Sequence, residues 1–446
     1  MALVQLEVAS RGVLDSLGRS PSAGCFRVLQ RLFVYVLTCA CAAASAQSPF
    51  GLDNAVVSSS RLQRLDHFLQ HATAASGYVG AVAVVSLDGK TVYSAAHGHR
   101  DLARTQTLKP DAIFRIYSMT KTVTTVAVLM LMEEGRLSLD DPVSKFLPEF
   151  ANLQVFESGS VDAPVLRNPK TILTLHHLLT HTAGFATGGV GAEAATQLLQ
   201  RADLEHSRDL AQFAQRVSSV PLAIDPGTQF RYDGTQTELL ARVVEVVSGQ
   251  RFDQFLRQRV FLPLRMIDTG FSVPAGQRSR IIDLTHMAKD GVLAIDTSAS
   301  ARQPGIALRP YSSGAGGLYS TAPDFLRFCR MLLDGGSLDG VSILGRKTVE
   351  QMMVNHLGFL DPPVTQFSPA EGFGLGGSVL LDPALRGRLG SVGQFGWSGA
   401  ASTYFSIDPK EHLISILLLQ HLPDDAGNDL PKLSTPFYNL VYQALQ

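Results

Sequence analysis

Cysteine is scarce in this chain, with four among 446 residues. That excludes a small scaffold stapled by disulfides. Charge of one sign is missing too. Lys+Arg is 38 and Asp+Glu is 39, a net charge of −1. Such a balance leaves no electrostatic footprint for nucleic acid and no polybasic membrane patch. Glycine (39) and proline (22) are ordinary in number and show no collagen-like period. There is no internal repeat and no long linker. Hydrophobic residues make up 45% and charged residues 17%. The chain is therefore neither disordered nor low in complexity. It is a well-cored protein of enzyme size, with at most about three domains by length.

The long apolar run of a membrane span is also absent. Arg27-Val-Leu-Gln-Arg31 is followed by an uncharged stretch, Leu32 to Ala46, ending Ala44-Ser45-Ala46. This stretch is about 15 residues, whereas a span needs about 20. Basic residues, a short apolar run and A-x-A form a secretory signal, which predicts export to the periplasm or the medium. Residues 1–46 are then a leader, with 1–26 an over-long start. Any membrane contact would be through that segment left uncleaved. Removal after Ala46 leaves Cys329 as the one cysteine, in a helical apolar pattern that reads as a buried small hydrophobe.

Gly80–Val85 and Thr91–Ser94 read as strands joined by a turn containing Asp88-Gly89. Ser58 to Ala72 has a helical period, with Leu62, Leu65, Phe68 and Leu69 on one face. Thr122 to Met132 carries no charge on any side, which marks a buried helix, ended by Gly135. Asp141-Pro142 predicts another helix start. From Thr171 to about Leu264 the patterns are helical. Thr403–Ile407 and Leu413–Leu419 read as strands, and Pro436–Leu445 as a closing helix. The economical assembly is α/β (α+β). A mainly antiparallel sheet domain flanked by helices comes from both ends (50–155 and 310–446), and an all-helical domain (156–309) is inserted.

The segment richest in chemistry is Phe114-Arg-Ile-Tyr-Ser118-Met-Thr-Lys121. Ser118 and Lys121 are spaced i, i+3 and share a helix face. Ser118 falls at a helix N-terminus, where free N–H groups favour developing negative charge. Lys121 heads a helix with no charged face to which it can escape. Burial disfavours the charged form of an amine, and a neutral amine beside a hydroxyl can activate a serine nucleophile. A plain helix cap and a snorkelling lysine would give the same two letters. A second piece, Pro226 to Glu238, sets Tyr232 on a short loop before a helix closed by Gly249. Thr235 and Glu238 read as its capping box. The third piece is Gly396-Trp397-Ser398-Gly399-Ala400, leading into a strand, where small residues let backbone approach a substrate.

In this order the three pieces resemble the serine β-lactamase and penicillin-binding-protein superfamily. Within it they are most similar to the class C-like branch that includes family VIII carboxylesterases. The resemblance runs from about Gly80 to Leu422. It takes in Glu133-Glu-Gly-Arg-Leu-Ser-Leu-Asp-Asp-Pro-Val143, Leu178-Leu-Thr-His-Thr-Ala-Gly184 and Pro263-Leu-Arg-Met-Ile-Asp-Thr-Gly-Phe271. It implies the fold of that superfamily and a serine hydrolase working through an acyl-enzyme. Ser118 would be acylated, Lys121 would activate it, and Tyr232 would pass the proton to the leaving group. Backbone N–H groups of Ser118 and Ala400 would form the oxyanion hole. Trp397, Ser398 and Gly399 would bind a small-molecule ester or amide. The tyrosine box of β-lactamases is usually Tyr-x-Asn, where this chain has Gly234. Their third box is usually Lys-Thr-Gly or His-Thr-Gly, where this chain has Trp397-Ser398-Gly399, nearer the Trp-Gly-Gly of the esterase branch. A carboxylesterase for short or medium acyl chains is the expectation. A D,D-peptidase or weak β-lactamase, an acyltransferase, and a non-catalytic binding protein of the same fold are the alternatives. The region 186–206 and the loop 272–311 would shape the pocket.

Three further motifs carry less. Gly396-x-Ser398-x-Ala400 nearly matches a nucleophile elbow, but a strand, not a helix, follows it. Gly372-x-Gly374-x-x-Gly377 lacks the helix of a dinucleotide site. His177 and His181 have metal-like spacing without a third ligand and read as structural histidines at a helix end. Neither cofactor nor metal is expected.

Overall fold

The computed structural model describes residues 57–185, 193–424 and 429–446. The expected leader, 1–46, and part of the region expected to shape the pocket lie outside these residues. Five helices matter for the site: α1 (Ser59–Ala72), α2 (Thr120–Glu133), α3 (Thr235–Ser248), α4 (Ala322–Leu333) and α5 (Ser434–Tyr442). The main sheet has seven strands: β1 (Gly80–Leu87), β2 (Lys90–Gly98), β3 (Glu371–Phe373), β4 (Ser378–Leu380), β5 (Phe395–Gly399), β6 (Thr403–Asp408) and β7 (Leu413–Leu418). Their order across the sheet is β3-β4-β5-β6-β7-β1-β2, with every neighbour antiparallel. The first hairpin thus closes on the last strand, with Val82 opposite Leu418 and Leu87 opposite Leu413.

Strand β1, Gly-Ala-Val-Ala-Val-Val-Ser-Leu, is buried along its whole length. A strand apolar on both faces needs cover on both. Here α4 packs on β1 and β7, while α5 packs on α1 and β7. Cys329 lies inside α4, free and buried, and burial pushes its thiol well up. Helix α1 starts at its Ser58 cap, whose hydroxyl accepts from the Arg61 N–H.

Helix α2 is buried from Thr120 to Leu131, the burial expected of a helix without charge. Its threonines find acceptors in that interior. Thr122 Oγ1 donates to Gly376 O (2.7 Å) and Thr124 Oγ1 to Gly314 O (2.8 Å). α3 packs along α2 and stops at Gly249, which takes a left-handed φ of 73°.

Three local expectations give way. The turn after Asp141-Pro142 is one 3-10 turn, Val143–Lys145, because Val143 N–H bonds Leu173 O instead of starting a helix. No capping box forms at α3: Gly234 caps it without a side chain, and Glu238 turns inward to another partner. The segment 156–309 is mostly helical but also carries hairpins, Val155–Gly159 with Pro164–Arg167 and Thr285–Met287 with Leu293–Ile295. Strands this short are too brief to declare a period of two.

Candidate active site

Ser118 stands in a 3-10 turn, Tyr117–Met119, directly ahead of α2. The chain reaches it through Phe114–Arg115, paired with Tyr319–Ser320. The turn is tight enough to put Tyr117 at a φ of 42°. A side chain held in the left-handed region costs on the order of 1 kcal/mol, a strain that clusters at functional sites. Ser118 is half-buried.

Lys121, one turn on, is 4% exposed. Its Nζ donates to Ser118 Oγ at 3.1 Å and to Ala315 O at 2.7 Å. Nζ also lies 4.9 Å from the centroid of the Tyr232 ring. The serine and lysine of the first box and the tyrosine of the second therefore meet. The amine stands over the tyrosine face, and the phenol oxygen accepts a hydrogen bond from Trp397 Nε1 at 3.1 Å.

The Tyr232 loop is held by its own neighbours. Arg231 N–H donates to His181 O (2.7 Å), and Gln236 Nε2 donates to Arg231 O (2.9 Å) and to Asp233 Oδ2 (2.7 Å). Burial pushes the Asp233 carboxyl up. The ring of Tyr232 sits 4.7 Å from His181, 5.0 Å from Trp397 and 5.6 Å from Phe367. Burial first, and Lys121 second, hold the His181 imidazole well below its usual range. The ring is thus neutral, and its Nδ1 faces the Gln236 amide at 3.2 Å. His177, by contrast, closes the capping box of Leu175–Leu179 with Thr174. The two histidines part company, and among the described residues no cluster of three or more metal-ligating side chains occurs.

Trp397, Ser398 and Gly399 form the end of β5. Strand β4 pairs with β5 only at Phe395 and Gly396, so the edge of 397–399 on that side faces no strand. Gly399 approaches the Ser118 turn so closely that a Cβ there would lie 2.3 Å from Ile116 O. Ser398 alternates to the other face of β5 from Trp397 and Gly399. Among the described residues, neither Ser118 N–H nor Ala400 N–H has a backbone acceptor. The Gly-x-Gly-x-x-Gly stretch turns β3 into β4 with no helix after it.

Sequence reasoning gave Glu238 a capping role, read His181 as structural, and missed Gln236 and the Ala315 carbonyl. The run Gly314-Ala-Gly-Gly317 was a signal for close backbone approach, and an acidic residue inside the buried face of α3 was another.

The Beta-lactamase family profile matches residues 65–433. Esterase EstB of Burkholderia gladioli is 30% identical over 395 residues, 85% of this chain and 94% of that protein. Lovastatin esterase of Penicillium rubens is 28% identical over 391 residues, 82% of this chain and 95% of its own. Among solved structures, simvastatin synthase (LovD) from Aspergillus terreus superposes with a TM-score of 0.70 at 24% identity. It covers 86% of this chain and 98% of that one. A hydrolase with promiscuous acyltransferase activity, EstCE1, does so at 0.68 and 24%, covering 86% and 98%.

Proposed function

The chain belongs to the Beta-lactamase family and is a serine hydrolase, and from that premise we propose that it is a carboxylesterase of Ser-Lys-Tyr mechanism. The observation that carries the reading is the buried Lys121 amine at 3.1 Å from Ser118 Oγ. In the neutral form that amine takes the Ser118 proton as Oγ attacks the ester carbonyl. The N–H groups of Ser118 and Ala400 receive the oxyanion. The tetrahedral intermediate then collapses, Tyr232 delivers the proton to the departing alkoxide, and the alcohol leaves. Water repeats the sequence on the acyl-enzyme, releasing the acid and restoring Ser118.

Tyr232→Phe should lower kcat by about one to three decades while KM moves little, because proton relay acts in the transition state. Steady-state kinetics on p-nitrophenyl butyrate checks this. A kcat within twofold of wild type would remove Tyr232 from the relay.

An ester substrate, rather than a β-lactam, is favoured by Trp397. Where β-lactamases carry a cation that grips an anionic substrate, this chain has an indole whose N–H is already engaged by Tyr232. A carboxylate there loses a charged hydrogen bond, which is about 1.5–3 kcal/mol, or about one to two decades in kcat/KM. A neutral ester has nothing to lose and gains the ring face. On one preparation, kcat/KM for p-nitrophenyl butyrate should exceed that for nitrocefin by at least that margin. Equal or faster nitrocefin turnover would replace the esterase reading with a β-lactamase one.

A further inference from the structure

We propose that Glu238 is a positioning residue for Lys121, acting through the turn 313–315 that both side chains grip. This rests on the acyl-enzyme reading above. Glu238 lies in the first turn of α3 and is 5% exposed. One carboxyl oxygen accepts from Ser313 Oγ, and the other accepts from Gly314 N–H at 2.8 Å. The next carbonyl, Ala315 O, receives Lys121 Nζ at 2.7 Å. Between them, Gly314 O accepts from Thr124 Oγ1 at 2.8 Å, on the same helix as Lys121. Ser313 Oγ also accepts from Gly316 N–H at 3.2 Å. The turn has no helix or strand of its own. Its conformation is fixed by a carboxyl from α3 on one side and by a threonine and the lysine of α2 on the other.

A buried carboxyl serving only to saturate two N–H or O–H donors could be replaced by any neutral acceptor. Glu238 differs, because it lies within electrostatic reach of the Lys121 amine. The charged and titratable groups around it are Lys121 from α2, and Arg309 and Tyr311 from the segment leading into the turn. Arg309 is itself engaged by Glu205 at 3.1 Å. Burial pushes the Glu238 carboxyl up to about 7, against the opposing pull of Ser313 and Lys121. An anion near an amine favours the ammonium form, and a neutral acid does not.

Two variants test this, with pH profiles of kcat and KM on p-nitrophenyl butyrate and thermal melts as the fold check. Glu238→Gln keeps size and an acceptor but never ionises. It should move the ascending limb of kcat/KM to lower pH by about half a unit or more, since a buried anion near the base is gone. Glu238→Ala removes the tether, and kcat should fall by about tenfold or more with KM within about twofold, the glutamine variant recovering much of that loss. If folded Glu238→Gln keeps the wild-type limb, the proposal is overturned, whatever the alanine variant does. If Glu238→Ala does not fold, the glutamine limb alone decides. Ester turnover by Ser118→Ala would instead sink the acyl-enzyme reading and leave the Glu238 limb as a separate measurement.

Discussion

Ser118→Ala should reduce ester hydrolysis by about four decades or more, because removing a nucleophile leaves only binding and oxyanion stabilisation. The fold should survive. The serine side chain is half-buried, and Lys121 keeps its bond to Ala315 O. Intact mass after a fluorophosphonate should show one adduct on the wild type and none on the variant. An adduct that persists in Ser118→Ala would place the nucleophile elsewhere. Lys121→Ala should be nearly as damaging to kcat. It also strips the donor from a buried carbonyl, so its melting temperature needs separate measurement.

Gly399→Ala should be the most damaging small substitution away from the reacting groups. Its Cβ would meet Ile116 O and Thr403 Oγ1, each at 2.3 Å. Neither neighbour can retreat cheaply. Ile116 N–H is bonded to Leu318 O at 3.0 Å, and Thr403 is locked in the β6–β7 ladder opposite Leu418. The strand end must move off the nucleophile turn, and Ala400 N–H moves with it. Overpacking of this sort costs about 1–3 kcal/mol of stability, and a misplaced oxyanion donor costs about two to three decades in kcat. Kinetics and a thermal melt on the same sample check both. An unshifted melt with full activity would mean that β5 does not approach the turn this closely.

What the sequence made readable was whatever repeats. The apolar run Gly80–Val85 and the Asp88-Gly89 turn announced β1 and β2, the period of Leu62, Leu65 and Leu69 announced α1, and the charge-free run announced α2. The Ser118/Lys121 pair was readable because both residues belong to one local turn. Tyr232 was readable only through resemblance. Its meeting with Lys121 depends on α2 and α3 packing side by side, which no spacing encodes. Glu238 was misread for the same reason. Thr235 and Glu238 have the letters of a capping box, but a buried carboxyl finds its donors in Ser313 and Gly314, far away in the chain. Trp397 was expected to bind substrate, with no partner foreseen for its indole N–H. That N–H is taken by Tyr232, a contact between strand and loop.

The pairing of β1 with β7 has a consequence for biosynthesis. The hairpin β1–β2 leaves the ribosome well before β7, the other partner of β1. A strand buried along its whole length must wait, with an apolar face and one backbone edge uncovered, until β7 is made. Such distant pairing slows folding and lengthens the time in which a chaperone is useful. The nucleophile turn inherits the delay. Arg115 N–H, three residues before Ser118, is held by the side chain of Gln420 at 2.7 Å, just beyond β7. A nascent chain that already carries Ser118, Lys121 and Tyr232 therefore still lacks the Gln420 side chain that holds the approach to their turn.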